Sequence, residues 1–222
     1  MDALDQIVGP ATSLLRRVDD VLSTAGAAPD HRVWAQLRRV RLLPGDAVHA
    51  VAALRSADLL GAAPELRTGA RAYAEIAGSL PAPGRWTGDA ADAYDAARRR
   101  AAEHLSGTPA SLDERLEATA DLADALVDWV RRTRAELAGA LAAVLASAEA
   151  LALTSGGPPE SAGPPELVGP PESAGPPELA GPAAAGAAAD VAARILRTVA
   201  DSYDLAADLL YATADLATPQ HA

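Results

Sequence analysis

The chain has 222 residues, half of them apolar, and 57 are alanine; Phe, Cys, Asn and Lys are absent, and all 19 basic residues are arginine. Val, Ile and Thr together number only 27, a poor supply for sheet, whereas Ala, Leu and Arg are strong helix formers, so composition points to an all-α fold. A net charge of −11 at pH 7 argues against nucleic acid or an anionic membrane surface as the main partner, and the lack of cysteine excludes a disulfide framework, a thiolate metal site and a Cys nucleophile.

In chain order, Leu4, Val8, Ala11, Leu15, Val18 and Leu22 recur at steps of four and three, predicting a helix interrupted at Gly9-Pro10 and ended near Gly26. A short helix is expected over His31–Leu43, with Trp34, Leu37 and Val40 on one side. Pro44-Gly45-Asp46 reads as a stop followed by a new N-cap. Helical spacing then runs over Asp46–Leu60 and Pro64–Leu80, parted by Gly61. Pro81-Ala82-Pro83-Gly84 is a break, and Asp89–Leu105 is helical again.

Ser111-Leu112-Asp113-Glu114 has the spacing of a capping box. It opens a helix whose seam is Leu116, Ala123, Leu126, Val130, Leu137, Val144 and Leu151. Carried to about Leu153, that helix would be roughly 60 Å long. Asp121, Asp124 and Asp128 share one of its faces, with Arg132 one turn beyond Asp128 as an expected ion-pair partner. Its longest charge-free run, Leu137–Ala148, is too short to span a bilayer.

From Gly157 to Pro182 a six-residue unit, GPPE(S/L)(A/V), repeats four times, with Ser and Leu alternating at its fifth position. Proline lacks an amide hydrogen and excludes its predecessor from helix, so this segment reads as extended polyproline II chain. As a spacer it covers roughly 80 Å. The alternative, an SH3-type ligand, would want an Arg beside the prolines, and the segment has none. Beyond it, Val191, Ile195, Val199, Ser202, Ala206, Leu209, Thr213 and Leu216 mark a last amphipathic helix, with Asp201, Asp204, Asp208 and Asp215 as an acidic stripe. One apolar seam cannot stabilise a helix alone. Docking back on the chain is the favoured reading, and donation to a partner is the other.

Three parts follow: a helical bundle over 1–153, a proline-rich linker over 154–182 and a C-terminal amphipathic helix over 183–222. No catalytic constellation is visible. His31, His49, His104 and His221 are scattered without HxxxH or HExxH spacing, and there is no GxSxG elbow and no P-loop. The expectation is a non-enzymatic protein without metal or cofactor. Met1-Asp2-Ala3-Leu4-Asp5 is acidic and lacks the basic and apolar regions of a Sec signal, so any export is expected by another route.

The stretch that carries most information is Arg85-Trp86-Thr87-Gly88-Asp89-Ala90-Ala91-Asp92-Ala93-Tyr94. A Trp-x-Gly sits in a short connection between two helices, with Asp89 available as a cap and an aromatic one turn into the next helix. Read as structure alone, the Trp plugs the end of a helical hairpin. From Leu43-Pro44-Gly45-Asp46 through the helix ending at Leu80, over Trp86-Thr87-Gly88 and into Ala90–Leu105, the chain resembles the Trp-x-Gly (WXG) family of type VII (ESX) secretion substrates and their larger actinobacterial relatives.

The resemblance implies an all-α protein on a helical hairpin with Trp-x-Gly at the bend, exported through an ATPase-driven membrane complex and paired with another helical hairpin protein. It also implies a second signal, Tyr-x-x-x-Asp/Glu, which Tyr211-Ala212-Thr213-Ala214-Asp215 matches. Small members are about half this length, and here about eighty residues precede the Trp-x-Gly, so the last helix folding back in cis could take the partner's place. The expectation is an elongated all-α bundle on a long helical hairpin, exported by or associated with type VII secretion, secreted or at the cell surface and cytoplasmic before export. Trp86, Gly88, Tyr211 and Asp215 are its recognition residues. Its partners are a helical hairpin protein of the same system, or its own C-terminal helix, and the secretion ATPase. The alternative is a cytoplasmic helical scaffold or oligomerisation module whose Trp-x-Gly is only a turn.

Overall fold

In the computed structural model, residues 1–155 and 181–214 are described. The fold is all-α. Its helices are α1 (Ala3–Thr24), α2 (Val33–Val40), α3 (Pro44–Ala53), α4 (Ala62–Ser79), α5 (Asp89–Leu105), α6 (Leu112–Leu145), α7 (Ala148–Ser155) and α8 (Pro182–Ala212), and no strand occurs among the described residues. Two compact units divide the described residues: Met1–Leu54 with those from Arg132 to Tyr203, and Arg55–Arg131 with those from Asp204 to 214. The repeat segment predicted as linker lies outside the described residues, apart from its last two, Gly181 and Pro182.

The first unit holds a large apolar core. Leu4, Leu14, Leu15, Val18 and Val21 of α1, Val48 and Val51 of α3, Leu137, Leu141 and Val144 of α6, and Val191, Ile195, Leu196 and Val199 of α8 are all buried in it. Ala188, Ala189, Ala192 and Ala193 are fully buried as well, so small side chains let α8 approach its neighbours closely. The C-terminal helix is therefore part of this core, and the seam expected of it at Val191, Ile195, Val199 and Ser202 is the buried one.

Several local expectations are corrected. α1 runs unbroken through Gly9-Pro10; Pro10 is exposed and forfeits one backbone bond, a cost the buried seam on the opposite face outweighs. α2 starts at Val33 because the Nδ1 of His31 accepts the Val33 N–H at 3.2 Å ahead of the first turn. It stops at Val40 because Arg41 takes the left-handed conformation, with φ 61°. α3 ends at Ala53 rather than Leu60. The carbonyls of Val51, Ala52 and Leu54 are taken by one Nη of Arg134, at 3.3, 2.6 and 3.1 Å, which caps its C-terminal end. α6 stops at Leu145, and the Ser147 hydroxyl accepts the Ala150 N–H at 3.2 Å to open α7, bent from α6 by 59°. Past that bend Ala150 and Leu153 turn inward, and Leu151, predicted on the seam, is 66% exposed.

The Ser111–Glu114 capping box also gives way. The Ser111 hydroxyl donates to the Thr108 carbonyl and the Asp113 carboxylate, and that carboxylate accepts the Glu114 N–H at 2.8 Å. A nearer acid has displaced the hydroxyl as acceptor. Asp128 pairs with Arg131 at 3.6 Å and not with Arg132.

Asp19 shows how the first unit handles a half-buried charge. Its two carboxylate oxygens accept the Gly45 N–H at 3.3 and 3.1 Å, capping α3 from another helix because Leu43 has no capping side chain. A Cβ at Gly45 would collide with that carboxylate. Burial raises the Asp19 pKa to about 6, partly offset by the Gly45 hydrogen bond. An acid whose folded pKa is raised contributes its full stability below its ordinary value of 3.8 and loses it as pH rises through about 6. Asp19→Asn keeps an acceptor for Gly45 and removes the charge. Thermal melts of the variant are expected to match or exceed wild type above pH 6 and to lack the fall in melting temperature between about pH 4 and 6; an unchanged slope would contradict the assignment.

Candidate functional site

The candidate site lies in the second unit, at the bend between α4 and α5. The two helices pack on each other as a hairpin. Nine residues, 80–88, connect them, with Leu80 turning into extended backbone and the Trp86 N–H donating to the Pro83 carbonyl at 3.2 Å. Gly88 has φ +97°, a conformation that side-chain-bearing residues rarely adopt. Its carbonyl accepts the amides of Ala91 at 2.8 Å and Asp92 at 3.1 Å, so Gly88 is the N-cap of α5. Asp89, expected as the cap, is the first helical residue and makes no capping hydrogen bond; with Asp92 it sets negative charge against the positive end of the helix dipole.

Two aromatic rings meet at this bend. The Trp86 and Tyr94 centroids are 5.8 Å apart with the planes inclined by 47°, and the Tyr94 hydroxyl donates to the Pro81 carbonyl at 2.8 Å. That bond ties the second turn of α5 to the far side of the connection. Trp86 nonetheless leaves 53% of its surface in solvent. About half of its surface is thus accessible from outside the hairpin.

Tyr211 lies in the last turn of α8 and is 79% exposed; Asp215, its expected companion, lies outside the described residues. No hydrogen bond or ring contact among the described residues joins Tyr211 to Trp86 or Gly88. The structure thus joins Trp86 with Tyr94, opens α5 with Gly88, and leaves Tyr211 apart. Of the acidic stripe, Asp201 is bonded to Arg39 at 3.0 Å.

Two arginines organise contacts that sequence spacing did not reveal. Arg67 of α4 reaches Glu117 at 3.4 Å, Asp121 at 2.7 Å and Asp124 at 2.8 Å on α6, and its hydrogen bonds to Asp124 and Asp121 hold its pKa above the ordinary value. Asp121 and Asp124 were legible as part of one helix face; their partner, more than fifty residues away, was not. In the first unit Arg134, its side chain 6% exposed, joins Asp2 and Asp5 at the start of α1 to the end of α3.

Among the described residues no three His, Asp or Glu converge as a metal site. A cleft of ≈ 470 Å³ in the first unit is lined by Ala25, Ala28, Ala185 and Ala189, with His31 as its one ionisable group. Both His31 nitrogens are engaged, Nε2 with Asp190 at 3.4 Å and Nδ1 with the Val33 amide. No single helix among the described residues is long and apolar enough to cross a membrane. Compared with family models, curated proteins and solved structures, the chain matches none.

Proposed function

We infer that this chain is a non-enzymatic helical protein exported by, or associated with, a type VII secretion system, and that it acts through helix–helix protein interaction. The observation that carries the reading is the α4–α5 bend. A Trp-x-Gly triplet fills a short helix-to-helix connection, its glycine in a positive-φ conformation and its tryptophan half exposed and braced by Tyr94. Tyr211, exposed on the last turn of α8, is the second recognition element, with Asp215 completing its motif. A helical hairpin protein of the same system and the secretion ATPase are the proposed partners. Because α8 is buried in the first unit from Ala187 to Ser202, the recognition surface is its end beyond that stretch.

The test is release into culture filtrate of wild type, Trp86→Ala and Tyr211→Ala from a host with a working type VII system. Each variant is expected to remain folded, since both side chains are exposed, and to fall at least tenfold in the filtrate while accumulating in cells. Undiminished release of both variants would leave the bend as a turn only, and a wild-type chain confined to the cells would favour the cytoplasmic scaffold reading.

A further inference from the structure

The bend carries an aromatic pair, a lone cation and two prolines, and the same chain carries four Pro-Pro-Glu units. Extended proline-rich peptides are recognised by exposed aromatic faces, because proline rings pack flat on them and the polyproline II conformation is already ordered before binding. Trp86 and Tyr94 supply adjoining rings, 5.8 Å between centroids, and are 53% and 37% exposed. The Tyr94–Pro81 bond holds the second ring in place, so little freedom is lost when a ligand packs there. Arg85 directly precedes Trp86. It is exposed, is the only cation between residues 80 and 97, and has no ion-pair partner among the described residues. Each repeat unit offers one carboxylate immediately after its two prolines: Glu160, Glu166, Glu172 and Glu178.

We propose that the Trp86–Tyr94 platform, with Arg85 beside it, is a docking site for one Pro-Pro-Glu unit of a second copy of this chain. The charge arrangement reverses that of an SH3-type ligand, with the arginine on the receptor and the acid on the peptide. Each chain carries one platform and four units, so a copy whose platform is filled still has units free for others. That mismatch favours head-to-tail association over a closed pair. The inference is independent of export: a chain confined to the cytosol could still associate this way.

Sedimentation velocity of the full chain over a wide concentration range tests it. The weight-average sedimentation coefficient is expected to rise with concentration. Trp86→Ala is expected to weaken association at least tenfold. Arg85→Glu, or Gln at all four of Glu160, Glu166, Glu172 and Glu178, is expected to weaken it about two- to fivefold, in keeping with an exposed ion pair. Adding the synthetic peptide GPPELAGPPESA to wild type is expected to return it to monomer, a readout that needs no variant to fold. A chain that sediments as monomer at every concentration overturns the proposal, as it would if the unit docked within its own chain. So does association that neither Trp86→Ala nor the peptide diminishes.

Discussion

Ending the chain at residue 181 is expected to leave the first unit without a cooperative unfolding transition. The truncation removes Val191, Ile195, Leu196 and Val199, each at most 1% exposed. Burying a side chain of this size contributes about 1.5–3 kcal/mol, so the four together account for about 6–12 kcal/mol, comparable to the whole stability of a typical domain. The truncation also uncovers the apolar faces of α1 and α6 and strips the Thr133 hydroxyl of its buried partner, Ser202, 2.5 Å away. Circular dichroism melts decide the matter. A broad, non-cooperative loss of signal in the truncated chain is the expected result, and an unchanged melting temperature would mean that α8 contributes nothing to the core.

The second large effect is expected at Arg134. Its guanidinium bonds Asp2 at 2.5 and 3.0 Å, Asp5 at 2.6 Å, and three carbonyls at the end of α3. The acids cap the start of α1, where the Asp2 N–H donates to the Asp5 carboxylate and the Asp5 N–H to that of Asp2, so one side chain of α6 links two helix ends. The Arg134 side chain is buried, but Asp2 and Asp5 are 48% and 27% exposed and would be resolvated, so its removal chiefly strands the carbonyls at the end of α3, at a cost of about 1–3 kcal/mol. Arg134→Ala is therefore expected to lose that much in chemical denaturation, and a loss below about 1 kcal/mol would reduce the network to a surface pair.

The Arg134 hydrogen bond lowers the Asp2 pKa to about 2. The stability it supplies is present above its ordinary 3.8 and is lost as pH falls toward 2. That window lies below the one governed by Asp19, and the slopes are opposite, so the two groups are separable in one titration.

Much of the fold was legible in the residues. Helix periodicity located every major helix, and the buried positions of α8 follow the expected three-four spacing as far as Ser202. What sequence reading missed was non-local. The end of α3 is set by an arginine more than eighty residues later, and its start by a carboxylate of α1. α6 and α7 divide at Ser147, where a hydroxyl opens a new helix, and that division turned Leu151 out to solvent. Pro10 misled in the opposite direction, because packing on one face outweighs the loss of one backbone bond on the other. At the bend, Trp86 and Gly88 stood out from the type of connection they occupy. The contribution of Tyr94 was hidden because its partners, Trp86 and the Pro81 carbonyl, depend on how the turn folds.

Type VII export is the centre of this account, and a single comparison bears on it most directly: the amount of full chain in culture filtrate from matched strains with and without an active secretion ATPase, with a cytosolic protein followed as a lysis control. Release that depends on the ATPase, while the lysis control stays in the cells, is the predicted result. Equal amounts in both filtrates, or a chain retained in the cytosol of both strains, would contradict it.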